Sequence, residues 1–180
     1  MIDLTGLWFD SEEMSIPDQH SLDWMHDRGV SPAAMSSPLA IHIARVIFDG
    51  ERYHPNLLGD FVYAMPIIVD NEIIDIAAWS PSTGEVGTRL GIGSCLGENL
   101  IGLDGAGTTG LPLQIWRAPL GWLLAERTGL VVVDEGLAAH RLSGVNLRAE
   151  DAAHASVLHN TLRVAPPVII VPNARAEAAA

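Results

Sequence analysis

Between Leu39 and Trp79 the chain carries three runs rich in β-branched and aromatic residues: AIHIARVIF, FVYAMPIIV and EIIDIAAW. Such residues fit a pleated, half-buried surface better than a helix. The first two runs are separated by DGERYHPNLLGD, which is dense in turn formers, and the last two by Asp70-Asn71 alone. A two-residue link of that kind is the length of a tight antiparallel hairpin. This stretch therefore commits the middle of the chain to a strand meander. Pro66 has no amide hydrogen for a ladder, so it assigns part of the second run to an edge or a bulge.

Helical signals flank the meander. DQHSLDWMHDR, Asp18 to Arg28, reads as a short amphipathic helix with Leu22, Met25 and Trp24 inward, Asp18 as its N-cap and Gly29 as its stop. Residues 1–17 read as an irregular arm, and SPAAMSSP as a loop or single helical turn between Pro32 and Pro38. Residues 80–110 hold nine glycines, too many for a helix, so short strands and loops are expected there. Asn99–Leu103 and Leu113–Trp116 are the strand candidates in and after that stretch. APLGWLLAERTG then reads as a helix closed by Gly129, followed by the strand LVVV, helices at 137–143 and 149–163, a final strand PPVIIVP and a frayed tail ARAEAAA. Strands first and a helix–strand–helix–helix–strand unit after them give an α+β (mixed α/β) fold. The organisation expected is an arm with a short helix (1–38), one core domain (39–173) and a tail (174–180). The core should bury Trp79, Trp116, Trp122, Val131 to Val133 and Ile169 to Val171.

Composition narrows the function classes. The 180 residues are 48% hydrophobic, enough to bury a real core, yet no apolar run approaches the ~18 residues of a membrane span. Acids occupy the N-terminal stretch where a signal peptide would carry basic residues, so a cytoplasmic protein is expected. Cys95 is the sole cysteine; no disulfide can form within the chain, and with no His or base nearby in sequence it reads as a small packed side chain. All ten basic residues are arginines and the net charge is −12. The absence of lysine excludes a Walker-type phosphate loop and Schiff-base chemistry. The charge argues against direct nucleic-acid binding and suits a partner with a basic surface.

The short motifs carry little chemistry by themselves. GAGTTG, Gly105 to Gly110, matches a dinucleotide-binding pattern, but Leu-Pro-Leu follows where that pattern needs a helix start, so it reads as a loop. His20, Asp23, His26 and Asp27 share one candidate helix, and His154 and His159 another, with spacings poorer for a metal than i, i+4. No GxSxG elbow is present. Asp75 lies mid-strand among apolar neighbours and calls for a partner such as Arg45 or Arg89.

One segment asks for more. In VVVDEG a buried-type strand delivers Asp134 and Glu135 into a strand-to-helix turn, a common way to place a metal-binding acid. Taken with LDWMHDRGVSP, the RYHP patch, the strand pair YAMPIIVDNEIIDIAAWSP and the Gly-rich GIGSCLGENLIGL, this order of features resembles toprim-type primases of phages and mobile elements, across residues 20–173. The resemblance implies that Glu135 corresponds to a glutamate that works with a later Asp-x-Asp, at the end of a hydrophobic strand, to hold Mg²⁺ for phosphoryl chemistry.

The chain departs from that pattern where the acidic pair should stand: PPVIIVPNARAE offers Pro172, Asn173 and Ala174. It also lacks a cysteine-rich zinc module and the basic residues that a primase uses on its template. The resemblance thus implies a toprim-like remnant without its metal site, with Glu135 an outline of a catalyst. The leading expectation is a non-catalytic accessory protein of phage or mobile-element type, an inhibitor or regulator that uses no cofactor and binds another macromolecule through acids at Glu12, Glu13, Asp23, Asp27, Glu150 and Asp151. The alternatives are a divergent Mg²⁺-dependent nucleotidyl or phosphoryl enzyme of DNA replication using Glu135, Asp134 and Asp75, and a virion or self-assembling structural protein.

Overall fold

The computed structural model describes residues 4–10, 12–102 and 111–163. The chain begins with helix α1 (Leu4–Asp10) and a short strand β1 (Met14–Ser15), followed by helices α2 (Gln19–Asp27) and α3 (Pro32–Ser36). The meander comprises β2 (His42–Asp49), β3 (Arg52–Pro55), β4 (Asp60–Val69), β5 (Glu72–Trp79) and β6 (Val86–Thr88). A second unit follows, with β7 (Cys95–Leu96), a 3-10 turn (Glu98–Leu100), β8 (Leu113–Trp116), α4 (Pro119–Leu124), β9 (Leu130–Val132), α5 (Glu135–Arg141), β10 (Leu147–Arg148) and α6 (Ala152–Thr161). Helices and strands in mixed sheets make this an α+β fold, as the sequence predicts.

The meander closes on itself. β2 pairs antiparallel with β4 along one stretch and with β1 and then β3 along another, β3 meets β6 through Arg52 and Thr88, and β6 and β4 flank β5. The ring β2-β3-β6-β5-β4 that results removes most exposed strand edge. Asp70 and Asn71 have φ of 51° and 66°, the left-handed pair that a two-residue hairpin turn requires and Asx residues tolerate. Pro66 lies beyond Ala64, where the β4–β2 ladder has ended, and a register irregularity follows between Ile67 and Ile68. The edge-or-bulge reading of that proline holds.

Period-two alternation sorts the side chains of β4 and β5 into two cores. Val62, Ala64, Ile76 and Ala78 join Val46, Tyr53, Leu4 and Trp8 in one buried cluster. Tyr63, Met65, Ile67, Ala77 and Trp79 join Met25, Val30, Ala34, Leu96, Trp122, Leu123, Val131 and Val133 in the other. Both faces of these strands are covered, which is why they read as nearly continuous apolar runs. The second sheet has the order β10-β8-β9-β7, parallel between β10, β8 and β9 and antiparallel between β9 and β7. Its far face buries Cys95, Ile115, Leu130, Ala138 and Leu142, with Leu158 and Leu162 packed against them.

Several expectations are corrected. The irregular arm at 1–17 contains α1, whose Leu4 and Trp8 enter the ring's core, and β1. Residues on both sides of position 38 share buried clusters: Met25, Val30 and Ala34 pack with Tyr63 and Trp79. RYHP, placed in a turn by its composition, is β3. Asn99–Leu103 is not a strand; Glu98–Leu100 is a 3-10 turn, entered through Gly97 at φ +76°, where a Cβ would lie 2.2 Å from the Gly129 carbonyl oxygen. The helix expected across APLGWLLAERTG stops at Leu124, because Glu126 and Arg127 adopt left-handed φ of 54° and 57°. Trp79, Trp122, Val131 and Val133 are buried as expected, while Trp116 and Val132 are half-buried. The final strand PPVIIVP, with Ile169 to Val171, the motif GAGTTG and the tail 174–180 lie outside the described residues.

Candidate functional site

Helix α2 is built as its sequence predicts. The Asp18 carboxylate accepts from the Ser21 amide at 2.8 Å and the Ser21 hydroxyl at 2.6 Å, capping the first turn. Those donors hold the Asp18 carboxyl below its usual range. Gly29, at φ +84°, ends the helix, and Met25 is buried beneath it. The second helix, α3, is capped by the Ser31 hydroxyl on the Ala34 amide at 3.0 Å.

These two helices do not close over β4. Between them runs a groove of about 670 Å³, lined by Ile16, Leu22, Met25, Met35 and Tyr63, with Gln19, Asp23 and His26 at its edge. Ile16 at its lip is 75% exposed. Sequence reasoning found the helix and its buried stripe but not the groove, which depends on the separation between α2 and α3. The available signal was the apolar Ile16-Pro17 pair directly before the helix.

The expected acidic residues fall into two groups. Glu13 pairs with Arg89 at 3.2 Å, and Arg117 is paired with both Glu150 and Asp151. The Arg117 hydrogen bond, with the amide of His154, pushes the Asp151 carboxyl down to about 2; Asp151 also N-caps α6. Glu12, Asp23 and Asp27 are exposed, and Asp23 accepts from the Gln19 side chain at 2.7 Å.

A second cleft, of about 420 Å³, opens beyond the carboxyl ends of the parallel strands β8 and β9, where ligands bind in open α/β sheets. Glu51, Glu135, Arg117 and His154 line it. Glu135 is exposed, and its amide donates to the Glu51 carboxylate at 3.1 Å. His154 is 5% exposed, accepts from the Glu150 amide at Nδ1, and is held below its usual pKa by burial. Asp134 is committed elsewhere: its carboxylate caps α5 through the Leu137 amide at 2.8 Å.

Asp75 is fully buried and takes no arginine partner among the described residues. Its carboxylate accepts from the amides of Ile76, Leu90, Ile92 and Gly93 at 2.8–3.1 Å. Arg45 bonds the Gly59 carbonyl and Arg89 bonds Glu13 instead. The glycine-rich segment after β6 supplies the donors, so Asp75 fastens that loop to β5. Among the described residues, no three His, Cys, Asp or Glu side chains are placed to share a metal ion. Of the acids singled out in the sequence, only Glu135 lines this cleft, with Glu51 beside it; Asp75 and Asp134 do not.

Two further groups are inert. Cys95 is buried, and burial pushes its thiol up to about 12, far above the range of a reactive thiolate. Glu98, 5% exposed, accepts from the Ser94 amide at 2.9 Å and pairs with Arg141 at 3.1 Å. No family model matches the chain, and comparisons with curated proteins and with solved structures gave no match. No helix among the described residues is long and apolar enough to cross a membrane.

Proposed function

We propose that this chain is a non-catalytic accessory protein that binds another protein, taking an apolar segment with basic flanks into the α2–α3 groove. The observation that carries the reading is the groove itself: an apolar trough about 670 Å³ in volume with Asp23 on its edge and Asp27 exposed on the same helix. Apolar troughs beside helices take amphipathic segments through a few anchoring side chains. Acids at the rim select basic flanks and raise the rate of encounter. The net charge of −12 disfavours nucleic acid as the direct ligand. With the toprim-like order of motifs, the reading extends to a regulator or inhibitor encoded by a phage or mobile element, acting in the host cytoplasm.

The test is a titration of the labelled protein with a Leu- and Arg-containing amphipathic peptide, followed by amide chemical shifts. Shifts should concentrate on residues 16–41. Ile16→Asp, at a position exposed enough to leave the fold intact, should weaken binding about tenfold or more, the loss expected when a buried apolar anchor is replaced by a charge. Equal binding by that variant, or shifts confined to other surfaces, would refute the groove as the docking site.

A further inference from the structure

We propose that the chain pairs with a second copy of itself about a two-fold axis, with Leu57 and Leu58 of each copy seated in the α2–α3 groove of the other. This rests on reading that groove as a docking site, and it gives the groove an occupant. Leu57 and Leu58 are 89% and 95% exposed. One exposed leucine is ordinary, but two in succession make an apolar projection of the kind that marks an interaction site. The loop that carries them is fastened at both ends. The Asn56 amide donates to the Arg45 carbonyl at 2.9 Å and the Gly59 amide to the Asn56 carbonyl at 2.8 Å. The Leu58 amide donates to the Asn56 side chain at 2.9 Å, and Arg45 Nη1 to the Gly59 carbonyl at 3.1 Å. A Cβ on Gly59 would lie 2.1 Å from the Val46 carbonyl oxygen, so the loop rests directly on β2. A leucine pair already held in place loses little conformational freedom on docking.

The strand register puts this projection on the face that carries the groove. Val46 pairs with Pro55 at the end of β3 and with Asp60 at the start of β4, so the loop between them passes over β2 at that point. Val46 itself is fully buried in the core of the ring, which leaves the opposite face of β2 for the crossing. On that face Tyr63 pairs with Ile43 and Phe61 with Arg45, since opposed residues share a face. Tyr63 lines the groove and lies three residues beyond Asp60, about 10 Å along the strand. A projection and a hollow side by side on one face match the same pair on a second copy after a half-turn. Charge agrees with the fit: Arg45 is exposed beside the leucines, and Asp23 stands on the edge of the groove.

Sedimentation velocity of the full chain from about 1 to 200 µM, the range in which a modest apolar interface forms, tests this. The mass should rise to that of two chains. Leu57→Asp with Leu58→Asp should weaken pairing about a hundredfold or more and leave the urea midpoint unchanged, because both side chains are exposed in the single chain. Ile16→Asp, at the lip of the groove, should give the same loss. Mixing the two variants joins one intact projection to one intact groove, so the mixture should form more dimer than either variant alone. The mass of one chain at every concentration overturns the proposal. So does a dimer that survives Leu57→Asp/Leu58→Asp, or a mixture that pairs no better than its components. The same double variant separates this inference from the groove reading, since its groove is left open to the Leu- and Arg-containing peptide. If the peptide shifts residues 16–41 while the parent stays a single chain, self-pairing falls and the docking site stands. If no peptide reaches the groove of that variant, the docking site falls and the dimer with it.

Discussion

The Tyr63 hydroxyl donates to the backbone carbonyl of Ser21 across a buried distance of 3.0 Å, joining residues 42 positions apart. This bond ties the first turn of α2 to the centre of β4 and forms the floor of the groove, since both residues line it. Trp24 and Trp79 pack at a tilt against the same ring, with centroids 5.6 and 5.9 Å from it.

Tyr63→Phe keeps the ring packing and removes the donor. The Ser21 carbonyl loses a buried donor, so unfolding free energy should drop by about 1–2 kcal/mol. Urea denaturation measures it. A variant as stable as the parent would mean that water reaches this carbonyl and that α2 is held by its apolar face alone.

Trp122→Ala tests the core between the two sheets. Trp122 is 4% exposed, and its indole N–H donates to the Gly129 carbonyl at 3.0 Å. Truncation removes a large side chain and orphans that carbonyl, so a loss of about 3–5 kcal/mol is expected. A melting temperature within a degree or two of the parent would place α4 outside the cooperative core.

Asp75→Asn should be nearly as damaging without changing the size of the side chain. The carboxylate serves four amide donors, and an amide side chain keeps one acceptor oxygen and presents its own N–H₂ to the remaining donors. Hydrogen bonds to a charged group contribute about 1.5–3 kcal/mol each, so a loss of about 3 kcal/mol or more is expected. Amide hydrogen exchange at Leu90, Ile92 and Gly93 should accelerate selectively. Unchanged protection at those three amides would contradict the fastening role.

These residues also mark how far the sequence could be read. The strands of the meander, the Asp70-Asn71 hairpin and α2 with its Asp18 cap follow from local rules of periodicity, turn chemistry and capping, and all are present. Helix α1 has no local signature: its Leu4 and Trp8 are apolar because they enter the buried cluster of the ring, a tertiary demand. The apolar neighbours of Asp75 point to burial and to an arginine partner, whereas its partners are the amides of Ile76 and of a Gly-rich loop, which composition does not distinguish from a disordered linker. The same limit hid Arg127: only the fold brings the carbonyls of Ala34 and Leu39 to it.

Acid should weaken the fold through two histidines. Burial holds both His42 and His154 below the ordinary value of 6.5; His42 stacks on Trp8 at 4.2 Å, with its Nδ1 buried and without a partner among the described residues. A histidine whose folded pKa is depressed contributes stability that is fully present above its unfolded value of about 6.5 and is lost as pH falls through the folded value. The urea midpoint should therefore fall from pH 7 toward pH 5 more steeply in the parent than in His42→Gln/His154→Gln. Comparing the two removes the opposing effect of neutralising surface carboxylates. Parallel pH profiles would show that both rings protonate without cost in the native state.

The charge on α2 separates recognition from stability. Asp18 caps the helix, while Glu13, Glu150 and Asp151 are paired with arginines, so replacing any of these confounds binding with folding. Asp23 and Asp27 are exposed, and Asp23 stands on the edge of the groove. Exposed helix charges contribute only a few tenths of a kcal/mol each, and the Gln19 contact of Asp23 survives in an amide. Asp23→Asn with Asp27→Asn should therefore leave the urea midpoint nearly unchanged. If acids steer a basic partner, the same double change should slow association with the basic amphipathic peptide several-fold while leaving dissociation almost untouched, because rim charges act on the encounter. Raising salt from about 50 to 300 mM should slow the parent and bring it toward the double variant, since the screening length shrinks below the spacing of the charges. Stopped-flow fluorescence of Trp24, half-buried beside the groove-lining Tyr63, reads both rates. An on-rate indifferent to the substitutions and to salt would leave the apolar trough as the sole determinant of binding and remove electrostatic steering from the mechanism.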